Sequence, residues 1–192
     1  VDYKTGTKKF DLREVYYGLD CQMLLYLFTL ERNGGHLFSQ GTAAGVEYLW
    51  ADPAPENIIR PETDDAEPLQ AQNYPLEGLL LDEPSIYHAM DTRGTGAFVP
   101  LSFSAKTGEP TAQSAKARLA DREKFNRIRD HLDGMLTDMA KNLYSGEIDA
   151  APLVPNAGKS PCLWCEYRTV CRHADGEGER TPLKPDDPFG TE

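Results

Sequence analysis

The sequence predicts an α/β domain with a mixed central sheet flanked by helices, and three observations carry that expectation. Up to Trp50 the chain runs strand, helix, strand: "VDYK" ends a strand, Thr5-Gly6-Thr7 turns it, a long helical pattern follows, and "AAGVEYLW" alternates again. A second helical stripe lies late in the chain, at Phe125, Ile128, Leu132, Leu136, Met139 and Leu143. Between the two, "GLLLDE" and "AFVPLSFS" are apolar runs of strand length.

Taken in order, the first helix is predicted as one piece across "FDLREVYYGLDCQMLLYLFTLERNGG". Leu12, Val15, Tyr16, Leu19, Met23, Tyr26, Leu27 and Leu30 recur there at three- and four-residue steps. Asp11 is its cap, with Glu14 as the second half of a capping box, and Gly34-Gly35 ends it. In the next strand Ala44, Val46, Tyr48 and Trp50 share the inward face, opposite Gly45, Glu47 and Leu49. The acidic, proline-punctuated stretch from Pro53 to Pro75 reads as loop with a short helical piece. A short apolar run then leads into a helix opened by Pro84 and capped by Asp82. "AFVPLSFS" reads as a strand, "AKTGEPTA" as a turn or mobile loop, and Asp121 to Ser145 as the last long helix. The closing "GEGERTPLKPDDPFGTE" has little to bury and is expected to be disordered.

A chain of 192 residues, 40% hydrophobic and 27% charged, is enough for one ordinary globular domain with a core. Its longest apolar run, "MLLYLF", is too short to cross a bilayer. A net charge of −11 argues against a protein that coats nucleic acid without selectivity. It leaves room for a local groove, because the charge is uneven. Acids dominate from Asp52 to Glu83, whereas Lys116, Arg118, Arg122, Lys124, Arg127 and Arg129 outnumber the acids around them. The simplest reading of that basic stretch is a solvated helix face.

Three groups of residues carry chemistry. Asp2 and Lys4, two apart on a strand, share a face. A carboxylate there can hold Mg²⁺, with the Tyr3 carbonyl as a further oxygen, while an ammonium orients an attacking water or offsets charge building on phosphorus. For an isolated D-x-K triplet a surface ion pair is the commoner explanation. Gln22 and Tyr26, four apart, lie on one helix face. Either Tyr26 packs its ring in the core while Gln22 caps the edge, or the pair lines a cleft and meets a phosphate. Finally, "PCLWCEYRTVCRH" spaces Cys162, Cys165 and Cys171 as C-x2-C-x5-C, which is metal-site arithmetic. Zinc would take His173 as its fourth ligand, and an iron–sulfur cluster would want a fourth cysteine. The remaining cysteine, Cys21, reads as a small buried thiol.

In their order along the chain, "VDYKTG", "YYGLDCQMLLYL", "GLLLDEPSIYHAMD" and "PCLWCEYRTVCRH" resemble the C-terminal nuclease domain of the AddB family within the PD-(D/E)XK superfamily, AddB being one of the two polypeptides of bacterial AddAB helicase–nucleases. The resemblance runs from Val1 to about His173. It implies a restriction-endonuclease-like core over residues 1–151, truncated on its N-terminal side and carrying an acidic insertion near 52–77. A cysteine-rich iron–sulfur-type segment would follow over 152–174, and a disordered tail over 175–192. Asp2 then matches an acidic Mg²⁺ ligand, Lys4 the motif lysine, and Gln22 with Tyr26 the glutamine–tyrosine pair beside the site. Cys162, Cys165 and Cys171 match three of four ligands of a [4Fe–4S] cluster.

The activity implied is Mg²⁺-dependent hydrolysis of DNA phosphodiesters during ATP-dependent processing of double-strand breaks. Its implied setting is the bacterial cytoplasm, with DNA as substrate, an AddA-type subunit as partner and no membrane. In that family a further acidic ligand and the fourth cysteine lie upstream, so a fragment lacking them is expected to be inactive and without a complete cluster. Cas4-like exonucleases of CRISPR adaptation share the lysine motif, the glutamine–tyrosine helix and the cysteines. "GLLLDEPSIYHAMD" and the long insert before it favour the helicase–nuclease family. From another class, a non-enzymatic zinc-binding interaction domain would use Cys162, Cys165, Cys171 and His173.

Overall fold

In this computed structural model the described residues are 9–36, 41–49, 76–154, 160–171, 173, 178–181 and 187–190. The predicted opening strand with Asp2, Tyr3 and Lys4, and the acidic stretch from Pro53 to Pro75, lie outside them. The described residues form two compact units. One comprises those before Asp11 together with Gln22–Arg127, and the other Asp11–Cys21 together with those from Ile128 onward.

The first unit is built on a mixed three-stranded sheet, β1 (Gly45–Leu49), β2 (Leu76–Leu81) and β3 (Leu119–Ala120), in the order β1-β2-β3. β1 runs antiparallel to β2, and β3 parallel to it. The α/β class and mixed sheet expected from the sequence are therefore present. β2 is the central strand and Leu79, Leu80 and Leu81 are all buried, so consecutive side chains on opposite faces both meet apolar partners. That is why its sequence reads as an unbroken apolar run. Glycine is required opposite Glu47: Gly78 has φ +155°, and a Cβ there would overlap the Val46 carbonyl.

Helices come before, between and after these strands: α1 (Leu12–Tyr16), α2 (Gln22–Asn33), α3 (Pro84–Met90), α4 (Ala112–Arg118) and α5 (Arg122–Ser145). The single long helix expected between Asp11 and Gly34 is two helices. Gly18 (φ 82°) and Asp20 (φ 56°) take left-handed conformations that break it, and a Cβ on Gly18 would collide with the Met135 sulfur. This break resets the helical phase. In α2 the buried residues are Leu24 and Phe28, and Tyr26 and Leu30 of the predicted stripe face outward. Asp11 does cap α1, its carboxylate accepting from the Arg13 backbone N–H and guanidinium.

Two other boundaries differ from expectation. The cap of α3 is Glu83, not Asp82, because Pro84 occupies the first helical turn. "AFVPLSFS" does not join the sheet: Pro100 has no N–H to give a ladder, and Val99 and Leu101 bury against Leu80, Tyr87 and Leu119 instead. The following loop is closed, with Ser104 N–H donating to Glu109 O (2.8 Å) and Thr111 N–H to Ser102 O (2.8 Å). α5 begins where the sequence places it, the Asp121 carboxylate accepting from Lys124 N–H at 2.6 Å.

In the second unit the Tyr16 ring stacks on His131 (4.7 Å between centroids), and His131 Nε2–H donates to the Tyr16 carbonyl (2.8 Å). Phe189 lies edge-on to both rings and is only 4% exposed. Earlier in the tail, Val154 N–H donates to Arg180 O, and Arg180 N–H to Pro152 O. The described stretches of the tail expected to be disordered over 175–192 thus hold contacts, because the aromatic of "DPFG" has a slot to fill.

One buried charge organises the loop after α3. Asp91, 1% exposed, accepts from the backbone N–H groups of Arg93 (3.2 Å), Gly96 (2.7 Å) and Ala97 (3.1 Å), and from Thr95 Oγ1 (3.2 Å). Burial opposes its ionisation, but the donors of Gly96, Thr95 and Arg93 outweigh it and hold the carboxyl below its ordinary value. Asp91→Ala leaves those donors unpaired. It is expected to cost about 3 kcal/mol and to lower the melting temperature by roughly 5–10 °C. Because the folded value is depressed, the wild-type contribution is present above the ordinary carboxylate range and is lost as pH falls through the folded value. The gap between the two proteins, read by thermal unfolding, should therefore close in acid.

Candidate active site

α2 carries the outward polar pair and is fixed by what lies beneath it. Leu24 and Phe28 bury, with Phe28 meeting Phe125 edge-on at 6.5 Å. Near the helix end, Glu31 accepts from the Ala43 backbone N–H (2.9 Å) and from Arg122 (3.4 Å), tying α2 to the approach of β1 and to the first turn of α5. On the opposite face Gln22 Nε2 donates to Tyr26 Oη at 2.7 Å, and Tyr26 is 50% exposed. The reading in which Tyr26 packs its ring in the core is thereby excluded. Since Oη already serves as acceptor, the phenol proton is left to donate outward, as an incoming anionic oxygen would require.

A residue that the sequence pattern does not single out lies on β1. Alternation places Glu47 simply on the strand's outer face. It is half-buried, its Oε1 has no hydrogen-bond partner, and burial pushes its carboxyl from 4.5 up to about 7. The available signal is an acid within an otherwise apolar strand paired with a glycine on β2.

The cysteine segment is arranged by short turns. Ser160, itself buried, accepts from Cys162 N–H (3.3 Å) at the start of a 3₁₀ turn, Pro161–Trp164. Cys165 N–H donates back to Cys162 O (3.4 Å), and Cys171 ends α6 (Arg168–Cys171). All three thiols are unpaired by disulfides. Their chemistry suits a thiophilic metal, but among the described residues no three histidine, cysteine or acidic side chains converge on one metal position. His173 Nε2 is buried and, among the described residues, has no hydrogen-bond partner. Cys21 is separate: its thiol donates to the Leu19 carbonyl (3.3 Å), and burial, with the Asp20 charge, pushes it up to about 11, which makes it an unreactive structural thiol.

Residues 1–172 match the PD-(D/E)XK nuclease superfamily. The chain belongs to that superfamily. Among similar proteins are three B subunits of the ATP-dependent helicase/deoxyribonuclease. That of Clostridium botulinum (strain Loch Maree / Type A3) is 30% identical over 176 residues, that of Exiguobacterium sibiricum 30% over 179, and that of Clostridium kluyveri 31% over 177. Each alignment takes in 90% of this chain and 15% of the relative, so the chain spans about 15% of the length of these proteins.

The superfamily match takes in the D-x-K triplet, the Gln22–Tyr26 helix and all three clustered cysteines. The basic stretch is largely consumed inside the chain. Arg118 pairs with Glu77 (2.5 Å), Arg122 with Glu31 (3.4 Å), Arg127 with Glu123 (3.3 Å) and Arg129 with Asp130 (3.1 Å). The Arg118–Glu77 pair is mostly buried and fastens α4 to β2.

Glu47 gives the first unit a measurable pH signature. Its folded value lies above its unfolded one, so its contribution is greatest below about 4.5 and falls away as pH rises toward 7. Glu47→Gln removes the cost of burying the charge. Its melting temperature is expected to exceed that of the wild type at pH 8 by a few degrees and to match it at pH 4, as followed by circular dichroism across a pH series.

Proposed function

We propose that this chain is the nuclease portion of an ATP-dependent helicase–nuclease polypeptide, hydrolysing DNA phosphodiesters with Mg²⁺ during the processing of double-strand ends. The observation that carries the reading is the outward Gln22–Tyr26 pair on a fixed helix, in a chain whose superfamily match takes in the D-x-K triplet. In this reading the Asp2 carboxylate and Tyr3 carbonyl hold Mg²⁺, which when bound polarises the phosphate and activates water. Lys4 orients the attacking water and offsets charge on the phosphoryl oxygens, while Tyr26, braced by Gln22, donates to a DNA phosphate oxygen. The polypeptide would pair with an AddA-type subunit in the bacterial cytoplasm, in keeping with relatives that are themselves named as one subunit of a larger enzyme.

For Cys162, Cys165 and Cys171 we propose a [4Fe–4S] cluster whose fourth ligand comes from the rest of the polypeptide. Their spacing and unpaired thiols support this. One observation favours a second reading, zinc bound by the same cysteines and His173: the buried, unpartnered His173 Nε2. Metal analysis separates them. Iron with matching sulfide, unaffected by His173→Ala, supports the cluster; one zinc per chain, lost in that variant, supports the other.

The enzymatic reading is tested in the parent protein on linear duplex DNA with Mg²⁺ and ATP. Lys4→Ala is expected to slow strand cleavage at least about 100-fold while leaving ATP hydrolysis intact. Tyr26→Phe should raise the KM for DNA about tenfold. Undiminished degradation of duplex ends by Lys4→Ala would overturn the assignment.

A further inference from the structure

In the second unit, the two ends of the cysteine segment are joined by hydrogen bonds that use none of its candidate metal ligands. Leu153 and Arg180 form a parallel bridge, in which Val154 N–H donates to Arg180 O (2.9 Å) and Arg180 N–H to Pro152 O (2.9 Å). The Arg180 side chain adds a third bond, from Nε–H to the Ala151 carbonyl at 2.8 Å. Val154 is buried at this junction. Gly178 brings the returning chain back to it. At φ +61°, a Cβ there would lie 3.3 Å from the Ala150 carbonyl oxygen and 4.0 Å from His173 Cε1. Further along, Phe189 lies edge-on to Tyr16 and His131, so the returning chain has contacts on both sides of Arg180.

We infer that Arg180 is a positioning residue for the cysteine site: the junction it closes forms before any metal binds, and it pre-organises Cys162, Cys165 and Cys171 for a thiophilic metal. The inference rests on the metal role proposed for those cysteines and extends it to residues outside the C-x2-C-x5-C spacing. All three thiols and His173 fall between Val154 and Gly178 in sequence, so the junction limits how far apart they can drift. Bringing the ends of a flexible stretch together costs entropy. Where the ends are already joined, a metal that gathers the thiolates does not meet that cost again and binds more tightly. A smaller device acts inside the segment. The buried Ser160 accepts from Cys162 N–H (3.3 Å) and opens the 3₁₀ turn that sets Cys162 and Cys165 one turn apart.

Cobalt(II) is the probe, since its thiolate complexes absorb in the visible. The reduced, chelator-stripped chain is titrated with it. Arg180→Pro removes both donors of Arg180 and leaves every thiol in place. The dissociation constant for cobalt is expected to rise at least about tenfold, with the number of ions bound per chain unchanged. Gly178→Val, which strains the left-handed turn, should weaken binding in the same direction. Amide exchange supplies the order of events. In the metal-free chain the Val154 amide is expected to exchange at least about tenfold more slowly than in Arg180→Pro, while the amides of Leu79, Leu80 and Leu81 exchange alike in both and report an intact first unit. Equal cobalt affinity in the unsubstituted chain and both variants would overturn the inference and leave the metal reading standing. So would a Val154 amide that becomes protected only after cobalt is added. An unsubstituted chain that gives no thiolate–cobalt absorption would overturn the metal reading and this inference together.

Discussion

The close approach of β1 and β2 is the constraint on which the described sheet of the first unit depends. Gly78 lets the Val46 carbonyl sit where any side chain would be, and the register this sets places Leu79, Leu80 and Leu81 between two apolar layers. Above one layer lie Tyr87, Val99, Leu101 and Leu119. A bulkier residue at position 78 would push the strands apart, and because side chains alternate, even a one-residue slip would turn the wrong face of β2 to each layer. Arg118 and Glu77 secure the same strand from α4. α2, and with it the Gln22–Tyr26 face, is tied to the approach of β1 through Glu31.

From the sheet the chain of cause runs through α2. Its buried side meets Phe125, and its Glu31 joins the approach of β1 to Arg122. Such a carboxylate gathers three elements with one side chain, which an apolar contact of similar size would not do with the same directionality. The helix is therefore held at the end opposite Gln22. The outward face keeps its orientation while its own residues remain available to a ligand. Glu47, by contrast, is a half-buried acid whose Oε1 has no hydrogen-bond partner among the described residues, and that burial is a standing cost to the fold at neutral pH.

How much is legible in the sequence varies with how local the determining interaction is. The start of α5 is readable because Asp121 caps it within three residues, and β1 because alternation is a property of neighbours. The break at Gly18 and Asp20 is not, since periodicity on both sides imitates a continuous helix and only the close packing of Met135 on Gly18 demands the turn. Tyr26 is ambiguous for the same reason: its orientation depends on the phase reset by that break. Pro100 does signal that "AFVPLSFS" will not pair, and the apolar pattern obscures it. Phe189 cannot be placed from a polar tail, because its slot is made by Tyr16 and His131, far away in sequence.

The distribution of charge bears on how so acidic a chain would handle a polyanion. With a net charge of −11 and arginines 118, 122, 127 and 129 engaged by carboxylates, general attraction to phosphate is not available to it. Recognition under the proposed function then falls to Lys4 at the reacting phosphate, to neutral donors along the strand and to a bound cation. Tyr26, its oxygen already accepting from Gln22, is such a donor: polarised by that hydrogen bond, it gives its proton more readily than an isolated phenol. Neutral donors grip the backbone weakly at each contact and carry little salt dependence.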